Sequence, residues 1–312
     1  MSFGISAGQV AVMFLLMGLG WLCYRLKWLQ DEAIKGMTKL LMFIVTPVVI
    51  VQAFLRPFDP ARLQVIGATF LLDLGVFAVT IGIARLLFTR RLIPDPGRRV
   101  ALRFGTTYSN GGFIGIPLAQ ALLGDDGVFY VVAFVVTFHV FVWTHGDGLF
   151  GGNREGARGN RLLEVLLNPN IIATAIGLVL FVASLQLPGL LVQAAGYVSA
   201  MNAPLSMIVI GANLAAIGVR SVFRDRDAWL GTAARNLAVP AVFVALFTLV
   251  PLDPTAKMAT LIAISAPVGA FLVMFCVLYE RDTRFPTRLL TLSTLAAIVT
   301  IPAVLGVASL VW

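Results

Sequence analysis

The chain has 312 residues, of which 59% are hydrophobic and only 12% are charged, and its mean hydropathy is +0.93. Soluble domains carry about 25% charged residues, so this composition predicts an integral membrane protein and excludes an ordinary soluble enzyme. The formal net charge of +8 would suit nucleic acid only if the basic residues formed one patch. Cys23 and Cys276 stand alone in apolar segments without the spacing of a metal site.

Ten apolar stretches are long enough to be transmembrane helices. In chain order, the predicted spans cover residues 5–24, 36–55, 63–88, 100–122, 127–147, 168–186, 189–218, 228–250, 256–278 and 288–311. The segment 151–167 predicts a short cytoplasmic connection between two five-helix halves, residues 1–150 and 168–312. We therefore predict an all-α polytopic membrane protein. Because zinc-protease and phosphate-loop motifs are absent, no enzymatic activity is expected.

Basic residues mark one side of this predicted membrane protein. All 23 lysines and arginines lie in or beside the connections after odd-numbered spans, except Arg56, Arg62 and Lys257. Short loops rich in Lys and Arg stay in the cytoplasm. We therefore predict a multi-pass protein of the cytoplasmic (inner) membrane with both termini on the non-cytoplasmic side. The basic excess is then an orientation signal in a lipid bilayer, and no nucleic-acid partner is expected.

The fourth span contains the stretch NGGFIGIP, Asn110 to Pro117, in which an Asn, three glycines and a proline fall within eight residues. In a helix interior, Gly costs about 1 kcal/mol and Pro about 3 kcal/mol relative to Ala. Irregular backbone persists at membrane depth only where protein buries it or where it lines a watery cavity. The stretch therefore predicts two half-helices, whose free N–H groups would suit a carboxylate.

Prolines recur at matching positions in the two halves and predict structural breaks. Pro47 in span 2 corresponds to Pro204 in span 7, and Pro117 in span 4 corresponds to Pro267 in span 9. Paired spans are five apart, so the second half would enter the membrane inverted. Inverted repeats with interrupted helices are typical of secondary transporters, whose site lies between the repeats. The alternative is that membrane helices tolerate proline for other reasons.

Six motifs follow one another along nearly the whole chain: NGGFIGIPLAQALLG, FHVFVWTHGDGLF, LNPNIIATAIGL, MNAPLSMIVIGANLA, SAPVGAFLVMFCVLYERD and LLTLSTLAAIVTIPAVL. Together they resemble the auxin efflux carrier family, a group of bacterial and plant PIN-like proteins in the bile/arsenite/riboflavin transporter superfamily. The resemblance implies a fold similar to that of sodium/proton antiporters, with spans 4 and 9 broken and crossed.

The same resemblance implies a function. A scaffold of spans 1, 2, 6 and 7 would carry a transporter domain of spans 3–5 and 8–10, which moves by elevator-type alternating access. Family members are thought to move carboxylates, so the expected partner is a small mono- or dicarboxylate or an auxin-like acid. A homodimer is expected. No cofactor is expected, and the coupling ion, H⁺ or Na⁺, is left open.

The breaks and the resemblance together predict the site. The expected substrate-binding residues are Asn110, Gly111, Gly112, Phe113, Ile114, Gly115, Pro117, His139, Ser265, Ala266, Pro267 and Val268. Relatives often carry Asn at the position of His139. Asp73 and Gln52 are expected at a coupling or support site, because a carboxylate at the depth of Asp73 is costly. Structural roles stay open: a helix cap for Asn110, a buried pair for Asp73 and packing for His139.

Arg235 lies several residues inside span 8 and is expected to snorkel to the cytoplasmic face. Two further functions are compatible with the sequence. One is a sodium-coupled symporter of the bile-acid type, which shares the architecture. The other is a non-transporting membrane sensor or scaffold that keeps the fold.

Overall fold

The computed structural model describes residues 3–151, 166–216 and 222–311, so most of the predicted connection 151–167 lies outside the described residues. Within the described ranges the regular secondary structure is helical. The α-helices are α1 (Phe3–Arg25), α2 (Asp31–Leu40), α3 (Thr46–Phe54), α4 (Pro60–Leu87), α5 (Pro96–Thr107), α6 (Ile116–Phe141), α7 (Asp147–Leu149), α8 (Pro169–Val182), α9 (Gly189–Ala200), α10 (Asn202–Ala216), α11 (Arg226–Ala233), α12 (Val239–Phe247), α13 (Pro254–Ser265), α14 (Phe271–Leu278) and α15 (Arg284–Val311). The π-helical turns are Leu41–Val45, Gly111–Gly115, Val142–Gly146 and Ala234–Ala238.

Six of the described helical stretches are long and apolar enough to cross a membrane. They are Asp31–Phe54, Pro60–Leu87, Gly111–Leu149, Gly189–Ala216, Arg226–Phe247 and Arg284–Val311. Two shorter apolar helices, Ala11–Arg25 and Pro169–Val182, accompany them. The predicted class of an all-helical, multi-pass membrane protein is therefore confirmed, whereas the number of ten spans and the inverted repeat stay predictions.

Four helices begin where an Asp or Asn precedes a proline. The side chain accepts a hydrogen bond from a backbone N–H of the first turn, and proline lacks an N–H at a position where it would have no helical partner. This pattern begins α4, α5, α8 and α13, at Asp59–Pro60, Asp95–Pro96, Asn168–Pro169 and Asp253–Pro254. The same local signal therefore sets helix starts in both halves of the chain.

Three of the π turns end two residues before a proline, at Pro47, Pro117 and Pro240. The wider turn accommodates the proline ring and its missing N–H. The structural break predicted at Pro47 is thus a local widening inside the continuous stretch Asp31–Phe54. Pro204 lies in the first turn of α10, directly after the turn at Met201 that separates α9 from α10.

Gly124 divides the longest helical stretch, Gly111–Leu149. The stretch has 39 residues and would extend about 58 Å at 1.5 Å per residue, which is roughly twice the ~30 Å thickness of a bilayer core. Gly124 has φ 65° and ψ −153°, a conformation that only glycine adopts readily, and it kinks the stretch. The boundary predicted between residues 122 and 127 is therefore a kink and not a loop.

Two glycines set the distance between α1 and α10. A Cβ atom at Gly20 would overlap the carbonyl of Ile208, and one at Gly211 would overlap the carbonyl of Met17. Small residues allow membrane helices to approach until their backbones touch. Each helix therefore supplies a glycine where the other presents a carbonyl, and α1 and α10 form a closely packed pair.

We expect Gly20→Ala to destabilise the protein by roughly 1–3 kcal/mol, because the added methyl forces the two backbones apart. Gly18 is the matched control on the same helix, since a Cβ there would meet no atom within 4 Å. Gly18→Ala is expected to be neutral or to stabilise the helix by up to about 1 kcal/mol. Unfolding of the purified variants in mixed micelles measures both changes, and equal stabilities would contradict the close contact at Gly20.

Candidate functional site at two broken helices

Two helix breaks lie side by side in the core. Residues 108–110 separate α5 from the helical stretch that begins at Gly111, and residues 266–270 separate α13 from α14. Ser109 and Val268 form an antiparallel β-bridge, so the two breaks run in opposite directions. The first break begins earlier than the stretch Asn110–Pro117 suggests, and Pro117 lies beyond it, in the first turn of α6.

Backbone hydrogen bonds join the two breaks, which we call the crossing. The N–H of Asn110 donates to the carbonyl of Pro267 at 2.7 Å, and the N–H of Gly269 donates to the carbonyl of Tyr108 at 3.0 Å. A polar backbone group without a partner is costly inside a membrane. Each break supplies partners that the other lacks, so these four backbone groups are satisfied without water.

Gly269 and Ser293 hold the second break in place. A Cβ atom at Gly269 would lie 2.9 Å from the carbonyl oxygen of Ser109, so glycine is required at this approach. The hydroxyl of Ser293, in α15, accepts a hydrogen bond from the Val268 N–H at 3.1 Å and donates to the Leu290 carbonyl at 2.9 Å. The motif LLTLSTL therefore supplies a supporting serine to the crossing, a role that the sequence does not indicate.

Arg235, in the π turn after α11, is buried against the crossing with only 1% of its surface exposed. Its guanidinium donates to the carbonyls of Thr106 at 2.9 Å, of Ala266 at 3.1 Å and of Ile264. These carbonyls end α5 and α13, so the cation meets the negative ends of two half-helices. The expectation that Arg235 snorkels to the cytoplasmic face is therefore wrong, because main-chain carbonyls bind it inside the protein.

We expect Arg235→Gln to lower the free energy of unfolding by roughly 3 kcal/mol. Hydrogen bonds to charged groups contribute about 1.5–3 kcal/mol each, and the loss of three is partly offset because a buried charge is also removed. Arg103 is the matched control, since its Nε donates to a single carbonyl, that of Phe88, at 3.0 Å. Arg103→Gln should cost about 1 kcal/mol. Equal losses in the two variants, measured by unfolding in mixed micelles, would contradict the role of Arg235.

A cavity of about 60 Å³ opens beside the first break. Its wall consists of Met42, Thr46, Ser109, Asn110, Gly111, Gly112, Phe113, Phe134, Val135, Phe138, His139, Asn168, Pro169, Asn170 and Phe271. The Ser109 hydroxyl and the Asn170 side-chain oxygen are buried and have no hydrogen-bond partner among the described residues. Buried polar atoms in this condition indicate that water or a polar ligand completes their hydrogen bonds.

The predicted substrate-binding residues divide into two sets. The cavity wall includes Asn110, Gly111, Gly112, Phe113 and His139. The wall does not include Ile114, Gly115, Pro117, Ser265, Ala266, Pro267 or Val268, nor the predicted coupling residues Asp73 and Gln52. The second break thus pairs with the first and binds Arg235, while the first break lines the cavity.

Four polar residues of the wall, Thr46, Ser109, Asn168 and Asn170, are not among the site residues predicted from the sequence. Asn168 caps α8 by accepting a hydrogen bond from the Asn170 N–H at 2.9 Å, and both asparagines reach the cavity. The motif LNPN was a usable signal, since an Asn before Pro places a polar group at a helix start. Thr46 is 7% exposed and is the first residue of α3, directly after the widened turn. No local pattern identifies Thr46, because its position on the wall depends on which helices meet.

A helix N-terminus lies on the cavity wall. Gly111, Gly112 and Phe113 begin a helical stretch at the wall, where the first N–H groups have no intrahelical acceptor. The Asn110 side chain does not cap them. Because Arg235 already compensates the C-terminal ends of α5 and α13, the positive potential at Gly111 is free to act on a ligand.

Asp73, in α4, is fully buried and connects to α13. Its Oδ1 accepts a hydrogen bond from the Thr260 hydroxyl at 3.2 Å, while its Oδ2 has no partner among the residues described. A carboxyl with one unused oxygen can hold a proton or contribute to a cation site. Asp73 therefore lies at the contact between α4 and α13 and does not line the cavity.

Ion pairs connect three segments of the chain near the kink at Gly124. Asp126, just after the kink, pairs with Arg56 and with Arg62, whose Nη1 lies 2.7 Å from Oδ1. Arg56 also lies over the Phe129 ring, 5.0 Å from its centroid. The segment after α3, the start of α4 and the kink in α6 are thereby joined.

Several helical stretches are apolar and long enough to cross a bilayer, and a largely apolar cavity with a few polar groups lies among them, as expected of a multi-pass membrane protein. The chain belongs to the membrane transport protein family, the auxin efflux carrier family that its motifs resemble, and the family model matches residues 5–160 and 157–305. The chain is also similar to an uncharacterized transporter of Methanothermobacter thermautotrophicus. The two are 22% identical over 305 residues, which cover 97% of this chain and 98% of the relative.

Proposed function

We propose that the chain is a secondary transporter or facilitator that moves small organic anions, mono- or dicarboxylates or auxin-like acids, across the cytoplasmic membrane. The observation that carries this proposal is the helix N-terminus at Gly111, which is uncapped and lies on the wall of a buried cavity. Free N–H groups at a helix N-terminus bind carboxylates. The amide of Asn110 and the hydroxyl of Ser109 add hydrogen-bond donors beside them.

The composition of the wall favours an anion with one carboxylate and an apolar body. Four phenylalanines, at positions 113, 134, 138 and 271, provide apolar surface. No Lys, Arg, Asp or Glu belongs to the wall as described. A second carboxylate would therefore lack a cationic partner after leaving water, which is costly. Within the proposed class, monocarboxylates are the preferred substrates.

The proposed architecture has ten spans in two inverted repeats, residues 1–150 and 168–312. One broken helix in each half, and the antiparallel pairing of the two breaks, support it. In an elevator-type cycle, a transporter domain of α4–α7 and α11–α15 would move against a scaffold of α1–α3 and α8–α10. Contacts between α1 and α10, between α3 and α8, and between α6 and both α4 and α13 support this division.

Orientation and assembly complete the proposal. The concentration of basic residues after the odd-numbered spans supports a cytoplasmic location for those connections and a non-cytoplasmic location for both termini. A homodimer in the bilayer is part of the proposal, on the resemblance to auxin efflux carriers alone. Each subunit then moves the substrate through its own cavity, and the scaffold helices form the contact between the two subunits.

The hydrogen bonds at the crossing give less support to the alternative function, a sodium-coupled symporter. A sodium site there would need oxygen ligands, but the carbonyls of Thr106, Ile264 and Ala266 already bind Arg235. The fixed guanidinium thus takes the place that a bound cation would need.

Uptake by sealed liposomes that contain the purified chain tests the proposal. We expect saturable counterflow of labelled indole-3-acetate, and weaker counterflow of malonate and malate, with and without sodium. Uptake of taurocholate that requires sodium would instead favour the bile-acid-type symporter. Carboxylate binding without uptake in sealed liposomes would favour a sensor or scaffold.

We expect Asn110→Ala to weaken carboxylate binding roughly 3- to 100-fold. One lost hydrogen bond costs about 0.5–1.5 kcal/mol, or up to ~3 kcal/mol with a charged partner, and 1.4 kcal/mol is a factor of ten. Asn213 is the matched control, because it is exposed on α10 and away from the cavity wall. Asn213→Ala should bind like the unsubstituted chain in calorimetry, and equal affinities of both variants would remove Asn110 from the site.

We expect Asp73→Asn to fold and yet to weaken or uncouple transport, because the isosteric amide removes the buried charge and little else. Thr260→Val is the matched control, since it removes the hydrogen-bond partner and leaves the carboxyl in place. Uptake measured as a function of pH and of a sodium gradient separates the two effects. If Asp73→Asn keeps the uptake rate and the ion dependence of the unsubstituted chain, the carboxyl is only structural.

A further inference from the structure

His139 is the one titratable side chain on the cavity wall among the residues described. It belongs to α6, is 5% exposed, and lies edge-on to the rings of Phe138 and Phe271, with centroid distances of 5.4 and 6.1 Å. Neither phenylalanine carries a charge that would hold the imidazole in its protonated form or in its neutral form. The ring is therefore an ionisable group in an otherwise neutral, largely apolar site.

One nitrogen of this ring is already engaged. His139 Nδ1 lies 2.7 Å from the carbonyl oxygen of Val135. A carbonyl can only accept a hydrogen bond, so Nδ1 carries the hydrogen whether the ring is neutral or charged. A gain or loss of a proton must then occur at Nε2, at the opposite edge of the ring.

No other charge on the wall can compensate an anion. The elements around His139 contribute Met42, Thr46, Asn168, Asn170 and Phe271, none of which titrates. Buried charges on the neighbouring helices have partners away from the cavity wall. Asp73 accepts a hydrogen bond from Thr260, and Asp147 accepts one from Tyr279. Arg235 and Lys257 donate to main-chain carbonyls. His145, further along the same helical stretch, lies 2.9 Å from the Tyr108 hydroxyl through its Nδ1. A carboxylate that leaves water for this cavity would meet only dipoles unless a cation accompanies it.

We infer that His139 takes up a proton at Nε2 when a monocarboxylate binds, so that the occupied cavity holds an imidazolium–carboxylate pair with no net charge. This inference rests on the proposed function and specifies that transport of the anion is coupled to a proton. One proton enters from the solution with each anion, no covalent bond is made or broken in the substrate, and the proton leaves with the anion on the opposite side. The chain would thus move a monocarboxylate and a proton together, without net charge transfer.

The presence of only two histidines in the chain makes a direct test possible. In a His145→Gln variant, His139 is the sole imidazole, and its nitrogen resonances in ¹⁵N-histidine-labelled protein report the protonation state. At neutral pH, indole-3-acetate should convert the Nε2 signal from the neutral to the imidazolium position. An Nε2 signal that stays neutral with indole-3-acetate bound would overturn the inference, whether or not other variants fold.

Calorimetry in buffers of different ionisation enthalpy provides the second measurement. The unsubstituted chain and His145→Gln should take up about one proton per indole-3-acetate, and their affinity should fall about tenfold per pH unit where the free imidazole is neutral. His139→Asn keeps hydrogen-bonding capacity but cannot ionise, so its binding should show no proton uptake and no such pH dependence.

The outcomes separate the two proposals. Binding of indole-3-acetate with no proton uptake, or with the same proton uptake in His139→Asn, would leave anion transport standing and overturn the role of His139. Absence of any binding to the unsubstituted chain would overturn both the monocarboxylate site and the inference that depends on it.

Discussion

Three main-chain carbonyl oxygens, at the ends of two half-helices, bind the guanidinium of Arg235 where water is excluded. Without the cation, the negative ends of α5 and α13 would face each other in a medium of low dielectric constant, and the crossing would be electrostatically unfavourable. A planar guanidinium can reach three acceptors in different directions, which an ammonium group on a flexible stem cannot do with the same geometry. The crossing, whose first break lines the cavity, therefore depends on this contact.

The sequence predicted the two breaks because glycine and proline act locally on the backbone. It could not predict which atoms of each break face the cavity. Ser265 through Val268 were expected to bind substrate, but their backbone groups pair with the first break, with Arg235 and with Ser293. The expectation for Arg235 failed for a related reason: a charge several residues inside a span normally reaches for water, and only tertiary structure shows that carbonyls without helical partners lie within its reach.

Prolines have different surroundings in this fold. Pro47 and Pro117 each lie two residues after a π turn, the first within a continuous helical stretch and the second after a break. Pro267 lies in a break, and its carbonyl accepts a hydrogen bond from the Asn110 N–H. The local chemistry is the same each time, namely a missing N–H and a constrained φ. The outcome depends on whether a neighbouring segment offers partners for the carbonyls that the proline releases. That information comes from residues distant in sequence, as it does for Thr46 and Asn170 on the cavity wall.

The β-bridge between Ser109 and Val268 joins residues that are separated by about half of the chain. During synthesis the N-terminal part enters the membrane first, so the first break is made long before its partner exists. Until α13 and α14 arrive, the Asn110 N–H and the Tyr108 carbonyl must be satisfied by water or by the insertion machinery. The crossing is therefore a late, non-local step of maturation. A defect there would leave a chain with its helices inserted but with hydrated, unpaired breaks, a natural target for membrane quality control.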